Sequence, residues 1–100
     1  MPFDIEFAQT AADHVRGYKK SEQQIVLDAI EVHLTQQPTT ETKNRKALSR
    51  NVVSNWELRV QKFRVFYDVI DDENRQVVKI KAVGHKEHNT LYIGDQEVEL

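Results

Sequence analysis

The first residues of the chain alternate between apolar and charged side chains. In the segment PFDIEF, residues 2–7, Phe3, Ile5 and Phe7 share one side, and the two acidic residues lie on the other. A period of two residues places neighbouring side chains on opposite faces of a sheet. The segment therefore predicts a half-buried strand.

Two helices are predicted after this strand, because the apolar period lengthens to that of a helix. Thr10 with Asp13 resembles a capping box and predicts the start of a short helix. Ser21 with Gln24 resembles a second capping box, and predicts a longer helix that ends near Thr35. The apolar faces of the two helices are predicted to consist of Ala11, Val15 and Tyr18 in the first and Val26, Ala29, Ile30 and Leu34 in the second.

The second half of the chain predicts strands. Residues 36–50 are polar, include Pro38 and predict a loop. From Trp56 the period returns to two, which predicts three antiparallel strands with a polar turn, DDEN, at residues 71–74. A last short strand is predicted at residues 91–93. The apolar positions that share one face of the three strands are Trp56, Leu58, Val60, Phe63, Val65, Tyr67, Val69, Val78, Ile80 and Ala82.

The order of these elements predicts an α+β fold, β-α-α-β-β-β, in a single domain over residues 1–100. Both N-terminal helices are expected to pack on one face of a small, mostly antiparallel sheet and to cover its apolar positions. The sheet face that the helices leave uncovered (the far face) then collects the opposite set of side chains. These are Glu57, Arg59, Arg64, Phe66, Asp68, Lys79, Lys81 and Val83.

Charge is distributed unevenly along a chain whose formal net charge is −2. Residues 43–86 carry eleven basic and five acidic side chains, whereas residues 1–42 and residues 87–100 each carry a net charge of −4. A basic middle segment is typical of a nucleic-acid binder, and the acidic flanks argue against indiscriminate affinity. The polar connector with Lys46 and Arg50 is a candidate contact for a polyanion, although a solvated loop is the simpler interpretation.

Composition and spacing exclude several kinds of site. The absence of cysteine excludes disulfides, thiolate metal ligands and a cysteine nucleophile. His85 and His88 lack a further ligand at a recognisable spacing, so we predict no metal site and expect no cofactor. Neither a glycine-rich phosphate loop nor a serine in a nucleophile elbow is present. No apolar run reaches the roughly 18 residues of a membrane span, and no signal-peptide pattern is seen, so we expect a cytoplasmic protein.

The remaining chemistry lies in the cations of the far face and in the segment that carries His85, Lys86, His88 and Tyr92. Cleavage of RNA without metal requires a deprotonated 2′-hydroxyl, stabilisation of the phosphorane charge and a proton for the leaving 5′-oxygen. Arginine suits the phosphate because its planar guanidinium engages two oxygens at once. Tyrosine, lysine or histidine suits the proton transfers. The alternative interpretation is that these cations only solubilise the sheet.

Two longer segments resemble the RelE/ParE superfamily of bacterial toxins from type II toxin–antitoxin systems. They are WELRVQKFRVFYDVIDDE, residues 56–73, and VVKIKAVGHKEHNTLY, residues 77–92. The most specific parts are the hairpin with its two arginines, the AVG strand end with a lysine two residues later, and a tyrosine eight residues after that glycine. Together with the order of the elements, the resemblance spans nearly the whole chain.

For the RelE branch, this resemblance implies an mRNA interferase, a ribosome-dependent endoribonuclease that inhibits translation and is held inactive by an antitoxin protein. It implies cleavage in the ribosomal aminoacyl site, which leaves a 2′,3′-cyclic phosphate and a 5′-hydroxyl. The catalytic residues that it implies are Arg64 for the transition state, Arg59 for the phosphate, Lys86 for the scissile phosphate or leaving group, and Tyr92 for the base or the 2′-hydroxyl. The residues expected to contact RNA are Lys46, Arg50, Lys79, Lys81, His85 and His88.

The sequence also departs from that pattern. Glu57 stands where RNA-cleaving members commonly carry a lysine or arginine, and it brings negative charge near the phosphate. Residues 93–100 lack the basic C-terminal helix of some members. A second interpretation therefore stays open, a ParE-like protein that inhibits DNA gyrase by contact or a degenerate toxin that only binds its antitoxin. In either case an antitoxin segment is expected to bury exposed apolar surface, with Phe66 as a candidate contact.

Overall fold

The computed structural model describes residues 2–48, 54–94 and 96–98 of the chain. Within these residues, two helices and seven strands form. In chain order they are β1 (Asp4–Phe7), α1 (Gln9–Arg16), α2 (Lys20–Leu34), β2 (Arg45–Ala47), β3 (Trp56–Val60), β4 (Phe63–Asp71), β5 (Gln76–Glu87), β6 (Thr90–Ile93) and β7 (Gln96–Val98).

The strands form one mixed sheet in which β5 is the central element. The order β2-β3-β4-β5-β6-β7 is antiparallel throughout. The other edge of β5 pairs with β1 in parallel near its start and with β6 near its end. The predicted α+β arrangement is therefore confirmed, with β2 and β7 added at the two edges. The interpretation of residues 36–50 as a loop is wrong for β2, because its three residues pair with β3.

The main core lies between the two helices and the sheet. The apolar stripe of α2 is buried as predicted, and the apolar positions of β3, β4 and the first half of β5 face it. Tyr67 is fully buried there, and its hydroxyl donates to the backbone carbonyl of Pro38 at 2.6 Å. Burial raises the pKa of Tyr67, so the phenol keeps its proton and ties the segment after α2 to the sheet.

Both helices begin one residue or more before the predicted capping boxes. The N-cap of α1 is Ala8, because the Thr10 hydroxyl donates to the carbonyl of Lys81 in β5 instead of capping the helix. The N-cap of α2 is Lys19, whose backbone N–H donates to the Glu22 carboxylate at 3.3 Å. The tertiary contact of Thr10 thus determines the start of α1, and the Glu22 side chain determines that of α2.

No helix in the described residues is long and apolar enough to cross a membrane.

A β-bulge reverses the predicted faces in the second half of β5. Phe66 pairs with Ala82 and Tyr67 pairs with Ile80, so Lys81 has no partner on β4 in this ladder. One extra residue exchanges the two faces of every position that follows. Ala82, predicted to face the helices, therefore lies on the far face, and Val83, predicted on the far face, belongs to the main core.

The far face carries a second, smaller apolar cluster. Phe66, Ala82 and Leu91 are buried there, with Leu48 and other side chains from β6 and β7 packed around them. Because Phe66 has no exposed surface, the prediction that it is available to an antitoxin is wrong. Leu48, just after β2, and the short strands β6 and β7 supply the cover, and sequence patterns had not predicted β7.

Candidate functional site

Arg59 and Lys86 line the same cavity on the far face. The sequence had suggested that both contact a phosphate, which requires them to lie close together. The cavity has a volume of about 540 Å³ and is open to solvent (the Arg59–Lys86 cavity). Its lining also includes the acidic residues Glu57 and Glu97 and the start of β6 at Thr90. Two cations and two carboxylates therefore meet around one opening.

The hairpin of β3 and β4 positions Arg59. Val60 and Phe63 close a two-residue turn, in which Gln61 adopts a left-handed φ of 53°. The backbone of Arg59 is held from the neighbouring segment by Asn44. The Arg59 N–H donates to the Asn44 carbonyl at 2.7 Å, and the Asn44 side-chain amide donates to the Arg59 carbonyl at 2.8 Å. Both backbone polar groups of the arginine are thus fixed.

Gly84 allows β6 to approach β5 beside Lys86. A Cβ atom on Gly84 would lie 2.3 Å from the carbonyl oxygen of Tyr92, a distance that real Cβ atoms do not adopt. The backbone N–H of Lys86 donates to the carbonyl of Lys62 at 2.8 Å, which ties the end of β5 to the β3–β4 turn. The glycine in the AVG segment is therefore explained by strand packing, and it places the lysine at the cavity.

Glu57 is buried at the base of this site. It is 4% exposed, and its carboxylate accepts a hydrogen bond from Nε of Arg59 in an ion pair. Lys46 lies directly across from it on β2, on the same face of the sheet. A buried carboxylate is tolerated when it is paired and hydrogen-bonded, so the ion pair with Arg59 accounts for its burial.

Arg64 lies directly across from Arg59, but its guanidinium turns toward the hairpin turn. Its Nη1 donates to the carbonyls of Gln61 at 2.9 Å and Phe63 at 2.8 Å. Its Nε is buried, with no acceptor among the described residues. Burial lowers the pKa of Arg64, Glu57 raises it and Arg59 lowers it, and the group keeps its charge at neutral pH. Arg64 thus lies beside the cavity without lining it.

Tyr92 and His85 lie on the helix-covered face, across the sheet from Lys86. They pair across β5 and β6, and their rings stack with centroids 5.6 Å apart. The Tyr18 hydroxyl lies 2.7 Å from Nδ1 of His85. Burial, and to a lesser extent the Glu22 carboxylate, raises the pKa of Tyr18 to about 12, so the phenol keeps its proton at neutral pH. His85 and Lys86 are consecutive in β5 and so face opposite sides of the sheet, and the β-bulge places Lys86, not His85, on the face of Arg59.

The remaining candidate residues are dispersed. Lys79 lies between Asp68 on β4 and Glu6 on β1, about 20 Å along β5 from Lys86. Lys81 is the extra residue of the bulge, and His88 is exposed in the two-residue turn before β6. Lys46, across from Glu57, is near the cavity, and Arg50 lies outside the described residues.

The cavity suits an anion better than a metal ion. In the described part of the chain, no group of three or more histidine or acidic side chains could hold a metal. An arginine and a lysine that face one opening can bind the oxygens of a phosphate group.

Sequence reasoning missed Asn44 as the residue that fixes Arg59, because a polar residue in a predicted loop gives no sign of its long-range partner.

Comparison with known proteins finds similarity among solved structures. No model of a known family matches the chain, and no curated protein matches it. Among solved structures, the toxin–antitoxin complex RelBE2 from Mycobacterium tuberculosis contains a chain that matches with a TM-score of 0.71 and 21% sequence identity. The match covers 86% of this chain and 93% of that one. The RelE-like fold that the sequence predicted is therefore confirmed.

Proposed function

We propose that this chain is the toxin of a type II toxin–antitoxin system and that it cleaves mRNA on the ribosome. The observation that carries the proposal is the meeting of Arg59 and Lys86 in one open cavity on a RelE-like fold. Arg64, which lies across from Arg59, adds positive charge beside the cavity. The scissile phosphate of the message occupies the cavity in this proposal.

The proposed chemistry needs no metal or cofactor. The 2′-oxygen of the preceding ribose forms a bond to phosphorus as its proton passes to a solvent water in the open cavity, and the bond from phosphorus to the 5′-oxygen breaks as that oxygen takes up a proton. The Arg59 guanidinium and the Lys86 ammonium group stabilise the charge that develops on the phosphorane. Lys86 is also the candidate donor of the proton to the 5′-oxygen. Tyr92 and His85 lie across the sheet, so the proposal does not depend on them.

An antitoxin protein is the proposed regulatory partner. A solved structure with this fold is that of a toxin–antitoxin complex, and a free toxin would expose the surface that its antitoxin covers. The large apolar side chains exposed among the described residues include Leu27, which is 39% exposed, and Val32, which is 70% exposed, both on α2. Five residues of a helix turn through about 140°, so these two side chains lie on different sides of α2, and we propose the more exposed one, Val32, as a candidate contact for the antitoxin.

Controlled expression in bacteria tests the proposal. Wild-type protein should arrest growth and produce new mRNA 5′ ends within translated messages, whereas an untranslated copy of the same message stays intact. Co-expression of the neighbouring small reading frame should relieve the arrest. Lys86→Ala should remove the new 5′ ends while the protein stays folded. Intact messages during growth arrest would overturn the cleavage activity.

A second candidate, inhibition of a target such as DNA gyrase by binding alone, is favoured by one feature. Arg59 is paired with a buried carboxylate and Arg64 bonds the turn carbonyls, so both arginines have structural partners. In a protein that inhibits its target by binding alone, Arg59 and Arg64 need no catalytic role beyond these structural contacts. Growth arrest with DNA damage and unchanged mRNA would support this candidate, and the absence of toxicity would support a chain that only binds its antitoxin.

A further inference from the structure

We propose that Glu57 is a positioning residue that aims the Arg59 guanidinium at an RNA phosphate, and this inference rests on the proposed function. Its charge had indicated the opposite, a carboxylate that repels phosphate. Whether Glu57 positions the arginine or repels phosphate depends on which nitrogen of Arg59 the carboxylate binds. The carboxylate of Glu57 binds Nε of Arg59, the nitrogen nearest the side-chain stem.

Pairing through Nε leaves the outer end of the guanidinium available. An arginine has five N–H donors in a rigid fork, and four of them belong to Nη1 and Nη2. Within residues 2–48, 54–94 and 96–98, neither Nη1 nor Nη2 of Arg59 has a hydrogen-bond partner. The Arg59 side chain is 46% exposed where it lines the cavity. The two nitrogens that bind phosphate in a bidentate manner are thus unoccupied in the described structure.

Arg59 is held at both of its ends. Asn44 fixes its backbone through two hydrogen bonds, and Glu57 fixes the plane of its guanidinium. A flexible side chain loses rotamer freedom when it binds a ligand, and an arginine that is already fixed loses less. The arrangement therefore favours binding through preorganisation rather than through added charge.

The charge of Glu57 does not make the site negative. Lys46 lies across from the carboxylate, and Arg64 lies on the neighbouring strand. The Arg59 side chain is 46% exposed and that of Glu57 only 5%, so a phosphate in the cavity has far more access to the guanidinium than to the carboxylate. Glu97 lines the same cavity without a hydrogen bond or ion pair to Arg59 in the described structure, so it offers a matched carboxylate that contributes charge alone.

The test measures the affinity of the purified chain for a fluorescent single-stranded RNA with 2′-O-methyl groups, which cannot be cleaved. Glu57→Ala should weaken binding by about two- to tenfold, because the guanidinium loses its fixed orientation. Glu57→Gln keeps an acceptor oxygen for Nε and should restore most of the affinity. Glu97→Gln removes a negative charge without moving Arg59, and should bind RNA as tightly as wild type or more tightly.

A second measurement follows Arg59 directly, without RNA. The Nε–H resonance of Arg59, assigned by its loss in Arg59→Lys, should exchange slowly with solvent in wild type and in Glu57→Gln. It should exchange rapidly in Glu57→Ala. A merely structural role of Glu57 would change the melting temperature and leave RNA affinity per folded molecule unchanged.

The outcomes separate this inference from the proposed function. Tighter or equal RNA binding by folded Glu57→Ala, or tighter binding by Glu57→Gln that matches Glu97→Gln, would overturn the positioning role and leave the RNA site intact. Failure of the wild-type chain to bind RNA, or equal binding by Arg59→Ala, would overturn the phosphate site and with it this inference.

Discussion

Tyr92 stacks on His85 with an angle of 21° between the ring planes, on the face of the sheet opposite Lys86. One short segment, the end of β5 and the start of β6, therefore supplies side chains to two separate environments. On one face the Tyr18 hydroxyl is hydrogen-bonded to His85, so that three aromatic side chains form one group. On the other face Lys86 lines a polar cavity. The tyrosine that sequence places near the lysine is a packing partner of the histidine in the folded chain.

The stack predicts a stability effect at Tyr92. Tyr92→Ala removes the ring from a half-buried site and should lower the free energy of unfolding by about 1–3 kcal/mol. Tyr92→Phe keeps the ring and should lie within about 0.5 kcal/mol of wild type. Urea denaturation monitored by circular dichroism measures both. Equal stabilities for Tyr92→Ala and wild type would contradict the packing role.

Gly84 should not tolerate a side chain. Gly84→Ala brings a methyl group against the Tyr92 carbonyl, and should lower the free energy of unfolding by about 1–3 kcal/mol, since the strands must separate. Gly17 offers a matched control, because it has helical dihedral angles and a Cβ there would lie 3.4 Å from the nearest atom. Gly17→Ala should be neutral or stabilising by up to about 1 kcal/mol. A stable Gly84→Ala protein would refute the close approach.

Acid should destabilise the chain through His14. Its Nδ1 accepts the backbone N–H of Val83 at 3.2 Å, which requires neutral imidazole, and burial lowers the pKa of His14 from its ordinary 6.5, although Asp13 opposes the effect. Below the ordinary pKa the unfolded chain binds more protons than the folded one, so stability is present above that value and falls as pH decreases. The free energy of unfolding should be lower at pH 5.5 than at pH 7.5, the two values being about one unit either side of that pKa.

Substitution of His14 provides the control for this pH dependence. Asn can accept the Val83 N–H without titrating, so His14→Asn should flatten the pH profile. Burial and the neighbouring Arg45 also lower the pKa of His33, so a residual slope of the same sign should remain. A profile of unchanged slope in His14→Asn would assign the acid sensitivity elsewhere.

Arg64 should contribute to stability as well as to charge. Arg64→Ala removes the hydrogen bonds from Nη1 to the Gln61 and Phe63 carbonyls, and should lower the free energy of unfolding by about 1–3 kcal/mol. Loss of toxicity in this variant is therefore informative only when its thermal unfolding shows that it is folded at the assay temperature. An Arg64→Ala protein as stable as wild type would show that these turn contacts contribute nothing.

Sequence patterns predicted the main core and the order of the principal elements, because strict alternation leaves one interpretation of each strand up to Tyr67 and Ile80. They failed at the bulge. Ala82 and Val83 are both apolar, so either one could face the helices, and only the pairing with β4 decides between them. The three-residue strands β2 and β7 are too short for a periodic signal.

The candidate site was predictable in part. Arg59 and Lys86 were identified from the sequence and meet in one cavity, whereas Tyr92 and His85 lie on the other face because of the bulge. The burial of Glu57 could not be read from the sequence, since an acidic residue on an uncovered face is ordinarily solvated. That burial depends on the ion pair with Arg59 and on the pairing of β3 with the short strand β2, which alternation alone does not identify.

Cleavage of ribosome-bound mRNA by the purified chain is the most direct test of the central claim, that the Arg59–Lys86 cavity acts on RNA. Ribosomes with a filled peptidyl site and an empty aminoacyl site are mixed with the protein, and the message is mapped by primer extension. Wild type should cut within the aminoacyl-site codon and leave a 5′-hydroxyl, and leave free message intact. Folded Lys86→Ala and Arg59→Ala should each lose about a hundredfold or more in rate. An uncut message with wild type, or equal rates for wild type and Lys86→Ala, would contradict the claim.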